Sequence, residues 1–477
     1  MSNPAIAQHL INGQWLGEAT TKRMNPARPG ELATLAPTGG LSTINEAITA
    51  AAEAQHTWSE TPPPARGAIL AAAANLLRER RDTIAADLVR EEGKTLTEAT
   101  GEVTRAIDVL RFFGSLGWAP TGEVLTSGVP NTTVTTSREP LGVVALITPW
   151  NFPLAIPAWK MAPALISGNT VVFKPAALTP MSATHLASAL HDAGLPAGVM
   201  NLVHGRGREV GDALARDPRI AALSFTGSTA VGLRLQETLN SRRARVQLEM
   251  GGNNAVLVLD DADPHKAAQV VAGGAFGLTG QACTATSRVY VTPGIKAQFL
   301  DELITLAGER VVGDGLNPET TMGVVVDETQ LQQNVQTVQD AIGRGATVLH
   351  GGTAAGDLSF PPTILTGLPQ TDPVFHEETF GPILTVLEVP DYETGLTHVN
   401  DSHYGLTAGI CTDNLGKATD FAKRAQVGVV KVNRPTAGLD LHVPFGGVKD
   451  SSTNTFREQG HNAVEFFTWS KTTYTGV

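Results

Sequence analysis

From residue 42 to residue 116, apolar side chains recur at three- and four-residue spacing, as in the run Ile69-Leu70-Ala71-Ala72-Ala73-Ala74-Asn75-Leu76-Leu77. This spacing predicts amphipathic helices. Ser42-Thr43-Ile44-Asn45-Glu46 offers an N-cap, and Pro62 to Pro64 punctuates the run. Past Pro140 the rhythm changes to short apolar stretches alternating with helical ones. Residues 142–148, 170–173, 199–203 and 220–225 read as buried strands, and 180–193, 208–216 and 228–239 as helices. Such alternation predicts a parallel sheet covered by helices on both faces. A second run of the same kind opens with a strand at 255–259 and a helix from Pro264, and continues to about Val448. The expected fold class is α/β, with two such domains in series meeting near Gly251-Gly252. A further strand is expected over 9–15. Residues 131–138, polar and β-prone, and 466–475, aromatic and threonine-rich, fit neither domain. Each reads as an exposed strand in need of a partner, in an edge hairpin or between subunits.

Composition narrows the function classes. A chain of 477 residues with 42% apolar and 17% charged positions is globular. Its 46 acidic and 35 basic side chains leave a formal charge of −11, which argues against a nucleic-acid surface. Two cysteines, Cys283 and Cys411, cannot form a disulfide framework, and a reducing, cytoplasmic setting is expected. Residues 141–159 carry no charge, but Pro149, Pro153 and Pro157 would break a spanning helix repeatedly, so no membrane span is expected. The first residues show no signal-peptide pattern. No metal site is expected.

Several short segments can carry chemistry. Cys283, in Gly280-Gln281-Ala282-Cys283-Thr284, follows a glycine turn and is expected near a helix start, where amides and the dipole lower a thiol pKa. Cys411, in an apolar run, reads as core. Glu249 ends an apolar strand ahead of Gly251-Gly252, where a carboxylate of raised pKa can activate water, although taken alone a strand-end ion pair or cap is the plainer explanation. Asn151, between Pro149 and Pro153, can aim an amide N–H at an oxyanion or simply form an Asx turn. Two glycine turns can hold phosphate. Gly205-Arg206-Gly207-Arg208-Glu209-Val210-Gly211 is one residue longer than the usual dinucleotide fingerprint, and in Phe225-Thr226-Gly227-Ser228-Thr229 both Ser228 and Thr229 can cap a helix.

Taken together and in order, Pro149-Trp150-Asn151-Phe152-Pro153, Lys174-Pro175, the 225–229 turn, Leu248-Glu249-Met250-Gly251-Gly252, the Cys283 segment, Glu377-Glu378-Thr379-Phe380-Gly381-Pro382 and Pro444-Phe445-Gly446-Gly447 resemble the NAD(P)-dependent aldehyde dehydrogenase superfamily over nearly the whole chain. The resemblance implies a doubly wound cofactor-binding domain (1–120 and 140–251), an α/β catalytic domain (252–450) and a small β oligomerisation element (121–139 and 451–477) that builds a homodimer or homotetramer. It implies that Cys283 attacks the aldehyde, that Asn151 and the Cys283 N–H hold the oxyanion, and that Glu249 activates water against the resulting thioester. It places Thr148, Pro149, Trp150, Lys174, Ala177, Gly207, Gly211, Phe225, Gly227, Ser228, Val231, Glu378 and Phe380 against NAD or NADP, with Lys174 and Glu378 at the two riboses.

Ala177 stands where many NAD-preferring relatives carry a ribose-binding glutamate, so NADP is expected to be accepted. For the substrate, residues 281–288, 248–252 and 438–447 resemble the enzymes that oxidise 2-oxoglutarate semialdehyde. Trp159 replaces the arginine that succinic semialdehyde enzymes usually place before the lysine here numbered Lys160. Phe152, Trp159 and Phe445 are expected on the substrate side, with Arg111 and Arg434 as candidate partners for an acidic substrate. The tail 451–458 lacks the glycines of many relatives. A broad-specificity aldehyde dehydrogenase is the alternative. Glu249 argues against a CoA-acylating enzyme, and the Cys283, Glu249 and Asn151 set argues against a silent binding protein.

Overall fold

The alternating side chains of Val143–Ile147 explain why its sheet is covered twice. Val143, Ala145 and Ile147 enter one apolar core, and Val144 and Leu146 the other. In the computed structural model, which describes residues 4–476, this strand lies within a seven-stranded sheet. Five strands are parallel, in the order Arg245–Glu249, Ile220–Thr226, Val143–Ile147, Thr170–Lys174 and Met200–Leu202. The hairpin His9–Ile11 and Gln14–Leu16 extends the far edge antiparallel, with Asn12 and Gly13 at positive φ in its turn. The expected single strand over 9–15 is therefore two. Helices Leu41–Glu60, Gly207–Arg216 and Thr229–Ser241 cover one face; Pro63–Glu79, Arg81–Glu92, Leu96–Ser115, Ala155–Ile166 and Pro180–Asp192 cover the other. The first of these is capped by Gly40 rather than by Ser42, whose hydroxyl binds Glu46 instead.

Strand order reverses between Val143–Ile147 and Ile220–Thr226, which opens a crevice beyond their carboxyl ends. The second sheet, in the order Thr347–His350, Thr363–Thr366, Ile383–Glu388, Thr286–Val291, Asn254–Val258, Thr407–Cys411 and Val429–Val432, is parallel except at its first strand. The chain leaves the first sheet at Glu249 and enters the second at Asn254. The carboxyl edge of one sheet thus lies close in sequence to the amino edge of the other.

The two orphan segments pair with each other. Thr468–Gly476 runs antiparallel to Thr132–Pro140 in unbroken register, and Val124–Leu125 flanks the latter. Phe466 and Phe467 stay outside this strand. They end the helix Asn462–Phe467 and are buried in the first domain's core, which holds them against joining the exposed ribbon. Residues 451–461 likewise lie against the sheets and not in the ribbon, through backbone bonds such as Met250 N to Ser451 O at 2.9 Å and Glu458 N to Phe445 O at 2.7 Å. Among the described residues, no helix is long and apolar enough to cross a membrane.

Candidate active site

Cys283 lies where the sheets meet, in the loop entering Thr286–Val291. Ahead of it Leu278, Thr279 and Gly280 all adopt positive φ, at 53°, 56° and 67°. Only a glycine fits at 280, because a β-carbon there would overlap the Gly381 carbonyl. The residues after Cys283 form a strand, so the expected helix start is absent. The thiol pKa is raised rather than lowered. Burial contributes most, followed by the charges of Glu378, Glu249 and Glu458; the residue's own backbone N–H opposes them. Cys411 is buried in the second domain's core, as expected.

Cys283 is half-buried and borders two cavities. The first, ≈ 270 Å³, is lined by Pro149, Trp150 and Asn151, by Thr226, Gly227 and Ser228, and by Glu378 and Phe380. The first six belong to the loops at the reversal point of the first sheet, whereas Glu378 and Phe380 come from the loop ahead of Ile383–Glu388 in the second. Trp150 and Phe380 meet edge to face at 5.4 Å. The Glu378 carboxylate accepts the Gly252 N–H at 3.0 Å, and burial pushes its pKa up to about 7. A β-carbon on Gly251 would overlap that carboxylate, which explains the glycine. In or beside this cavity the hydroxyls of Thr148, Thr226, Thr229 and Thr379 are buried without partners. Ser228 precedes the helix Thr229–Ser241 without capping it, contrary to expectation, and the helix's first amides stay available. Unsatisfied donors at a helix start, beside glycines and an aromatic pair, fit a dinucleotide.

Other expected cofactor residues lie further out. Lys174 is buried at the end of its strand, donates to Pro175 O at 2.7 Å, and has its pKa lowered to about 8 by burial. Ala177 is exposed three residues on, and Val231 is exposed on the first turn of its helix. Phe225 is buried in the core beneath Gly227. Gly207 and Gly211 do not line the cavity; Gly207 starts its helix at the surface, and Gly211 packs toward Ile147.

Asn151 is buried, and its Nδ2 donates to Gln281 O at 2.9 Å while its Oδ1 accepts the Phe152 N–H at 3.1 Å. Its backbone carbonyl accepts from Lys94 Nζ at 2.8 Å, and Lys94 pairs with Glu102 at 2.6 Å. Glu102 also accepts the N–H groups of Leu154 and Ala155 at 2.8 and 3.0 Å. A buried ion pair thus fixes the whole turn, beyond what the flanking prolines provide.

The Glu249 carboxylate accepts from Gly447 N at 3.2 Å and Ser452 Oγ at 3.1 Å. Its pKa lies well above the ordinary carboxylate range, through burial and then the neighbouring Glu458, with Lys160 opposing. Glu458 pairs with Lys160 and accepts from Trp159 Nε1 at 2.8 Å, and Lys160 also donates to Ser224 at 2.8 Å.

The second cavity, ≈ 380 Å³, is walled by Phe152, Trp159, Phe445, Leu278 and Leu439. Trp159 and Phe445 meet at 6.2 Å. Arg111 and Arg434 do not line it. Arg111 faces outward near Asp108, at 3.8 Å, and Arg434 is exposed on its loop. Arg105 lines it instead, two turns before Arg111 and on another face of the same helix. Arg105, Lys94, Glu102, Glu458 and Gln459 went unread in the sequence. The unusual tail 451–458 and the helical phase of 94–111 were the available signals.

The geometry sets a half-buried thiol between a crevice at the carboxyl ends of the first sheet and a second, largely apolar cavity, an arrangement suited to cysteine chemistry beside a bound dinucleotide. Residues 15–473 match the profile of the Aldehyde dehydrogenase family, and the chain belongs to that family. It is an NAD(P)-dependent enzyme that oxidises an aldehyde. The chain is 44% identical to a 2,5-dioxopentanoate dehydrogenase of Saccharolobus solfataricus over 91% of each chain. It is 43% identical to an alpha-ketoglutarate semialdehyde dehydrogenase of Haloferax volcanii over 99% of each. The crystal structure of an NADP-dependent enzyme of E. coli superposes with a TM-score of 0.95 at 35% identity, covering 99% of this chain and 98% of that one.

Proposed function

We propose that this enzyme oxidises 2-oxoglutarate semialdehyde, or a similar acidic semialdehyde, to the carboxylic acid. The observation that carries this is Cys283 bordering both cavities, with Asn151 and Glu249 beside it; the names of the relatives supply the substrate class. Cys283 Sγ attacks the carbonyl carbon as thiolate, its proton passing to Glu249 or water. One Asn151 Nδ2 hydrogen is held by Gln281 O, and the other is free for the oxyanion. Bound NAD(P)+ supplies the two-electron acceptor for the carbonyl hydrogen, which leaves a thioester on Cys283. Glu249 then takes a proton from water, the hydroxide adds to the thioester, and the acid departs with Cys283 restored. Trp150, Gly227, Ser228, Glu378 and Phe380 are the residues that would hold the dinucleotide, with Lys174 and Ala177 toward its adenosine end.

The same reading makes the first sheet the cofactor-binding part and the second the catalytic part. The exposed ribbon of Thr132–Pro140 and Thr468–Gly476 becomes the element that pairs subunits in a homodimer or homotetramer in the cytoplasm. The test is a panel of acidic and neutral aldehydes assayed with both cofactors. A semialdehyde acid should give the highest kcat/KM without added CoA. A clear lead for neutral or aromatic aldehydes would replace this reading with the broad-specificity one.

A further inference from the structure

Apart from the Cys283 thiol, the Thr284 hydroxyl and the Trp159 ring N–H, the polar side chains lining the cavity on the substrate side are Glu98, Glu102, Arg105 and Gln459. Both carboxylates are already engaged. Glu102 is held by Lys94 and two backbone amides. Glu98 caps its own helix through Thr95 N at 2.9 Å and accepts the Leu278 N–H at 2.7 Å. Arg105 is different. Its Nη2 donates to Gln459 Oε1 at 2.6 Å, and among the described residues it has no other hydrogen bond and no direct ion pair. Asp440 and Asp108 act on it only from a distance. A guanidinium has five N–H donors in a planar fork, so most of this one remains unspent.

Gln459 supplies an independent observation. It is 1% exposed, sits at a positive φ of 60°, and its Nε2 is buried without a partner. The bond from Arg105 fixes which end of the amide is oxygen, so the unpaired atom is a donor. A buried amide donor beside a guanidinium with free N–H groups has the donor set that suits a carboxylate. The buried Gln459 N–H carries a desolvation cost that a bound carboxylate would offset, and the Arg105 fork would add charge-assisted bonds.

We propose that Arg105 and the Gln459 amide together anchor the carboxylate at the far end of the aldehyde substrate. The anchor rests on the semialdehyde reading above and names the residues that select for it. It replaces the arginine that Trp159 displaces in the sequence, from a different helix. The apolar walls then carry the carbon chain between the anchored acid and the aldehyde at Cys283.

The experiment compares 2-oxoglutarate semialdehyde, glutarate semialdehyde and pentanal as substrates of the purified enzyme at saturating cofactor. In Arg105→Met the acid-to-neutral ratio of kcat/KM should fall about 10- to 100-fold, mostly through KM, the loss of a charge-assisted bond pair. Arg105→Lys should recover part of it. As a check on the unaltered enzyme, glutarate should compete with pentanal while pentanamide does not. If the wild type favours the acids and Arg105→Met keeps that preference, or if pentanamide inhibits as well as glutarate, the anchor is wrong and the semialdehyde reading stands. If the wild type shows no preference for acids over pentanal, the semialdehyde reading falls and the anchor with it.

Discussion

The two cavities that meet at Cys283 are built from different materials. The cofactor side is made of strand ends and turns: Pro149 to Asn151, Thr226 to Ser228, Met250 and Gly251, Glu378 to Phe380. Its chemistry resides largely in backbone amides, small hydroxyls and glycines that let a ligand come close. The substrate side is made of side chains reaching in from one helix face and several distant loops: Arg105, Phe152, Trp159, Leu439, Phe445 and Gln459. A backbone-built site holds any ligand of the right shape and is tied to the sheet's topology. A site built of side chains can change its preference by single substitutions while the fold stays fixed. The shared sulfur is where the backbone-built half of the site meets the half built of side chains.

Removing that sulfur gives the largest effect and separates the halves most sharply. Cys283→Ala should lower aldehyde oxidation about 10⁴-fold or more, the scale seen when a catalytic nucleophile is deleted. Cofactor binding, followed by fluorescence titration, should remain within severalfold. Loss of cofactor affinity together with activity would mean the two cavities are not separable.

Next comes the base behind the sulfur. Glu249→Gln should leave a stoichiometric burst of NAD(P)H and slow steady turnover about 10²- to 10³-fold, because water activation is removed and thioester formation is not. The pH dependence carries a sign. Burial and Glu458 hold the Glu249 pKa well above the ordinary range. The carboxylate, which is the active form, therefore appears only above the pH at which an ordinary carboxylate ionises, and hydrolysis should climb with pH there. In the glutamine variant that limb should flatten in stopped-flow measurements of the post-burst rate. A variant that cycles at the parent rate would move the role of base elsewhere.

These differences also explain what could be read from the sequence. The cofactor side was legible because strand ends and turns are contiguous: Trp150 and Asn151 follow one strand, Gly227 and Ser228 another, and each turn is a motif of a few residues. The alternation of apolar runs predicts a parallel sheet covered on both faces, and the doubly wound order that brings the turns together is what the family resemblance implies. The Gly207 and Gly211 segment lies outside the cavity beside Cys283, and a glycine turn before a helix looks the same in sequence wherever it faces. The Cys283 environment misled because nothing local shows whether a helix or a strand follows, nor that three carboxylates gather around the thiol. On the substrate side the sequence offers Arg111 as a candidate and leaves Arg105 on the same helix unread, because only the helix's rotation against Phe152 and Trp159 shows which arginine faces the cavity. The ribbon was legible as two strands, yet its pairing joins residues more than 300 positions apart.

The strut beneath Asn151 tests how far the backbone-built half depends on a buried ion pair. Lys94→Met leaves Glu102 and Glu92 buried without their cation, and Glu92 already has its pKa pushed up to about 8. Breaking a buried pair from one side should cost about 3–5 kcal/mol of stability, read from the denaturant midpoint. Activity of the folded fraction should fall about 10- to 100-fold, mainly in kcat, as the Asn151 turn loosens. Adding Glu102→Gln should restore part of the stability by removing one stranded charge. Stability lost without any change in kcat would show that the turn holds itself.

The smallest effect is expected where the cofactor side reaches the surface, at Ala177. This side chain is exposed beside buried Lys174, and no carboxylate stands there to repel a 2′-phosphate. Ala177→Glu would place a negative charge at that point, in water and not in the core, so the repulsion is screened. A shift of about tenfold in the NADP-to-NAD ratio of kcat/KM, about 1.4 kcal/mol, is the expected size. Lys174 gives the effect a pH signature. Its pKa is lowered to about 8 because burial disfavours the ammonium, and an adjacent phosphate would favour it. Binding of NADP should then take up a proton near that pH and weaken above it, whereas NAD, with no 2′-phosphate, should show less of both. Calorimetry in two buffers of different ionisation enthalpy reads the proton uptake directly. A parent enzyme that prefers NAD by about a hundredfold, about 2.7 kcal/mol, would place the discrimination somewhere other than Ala177.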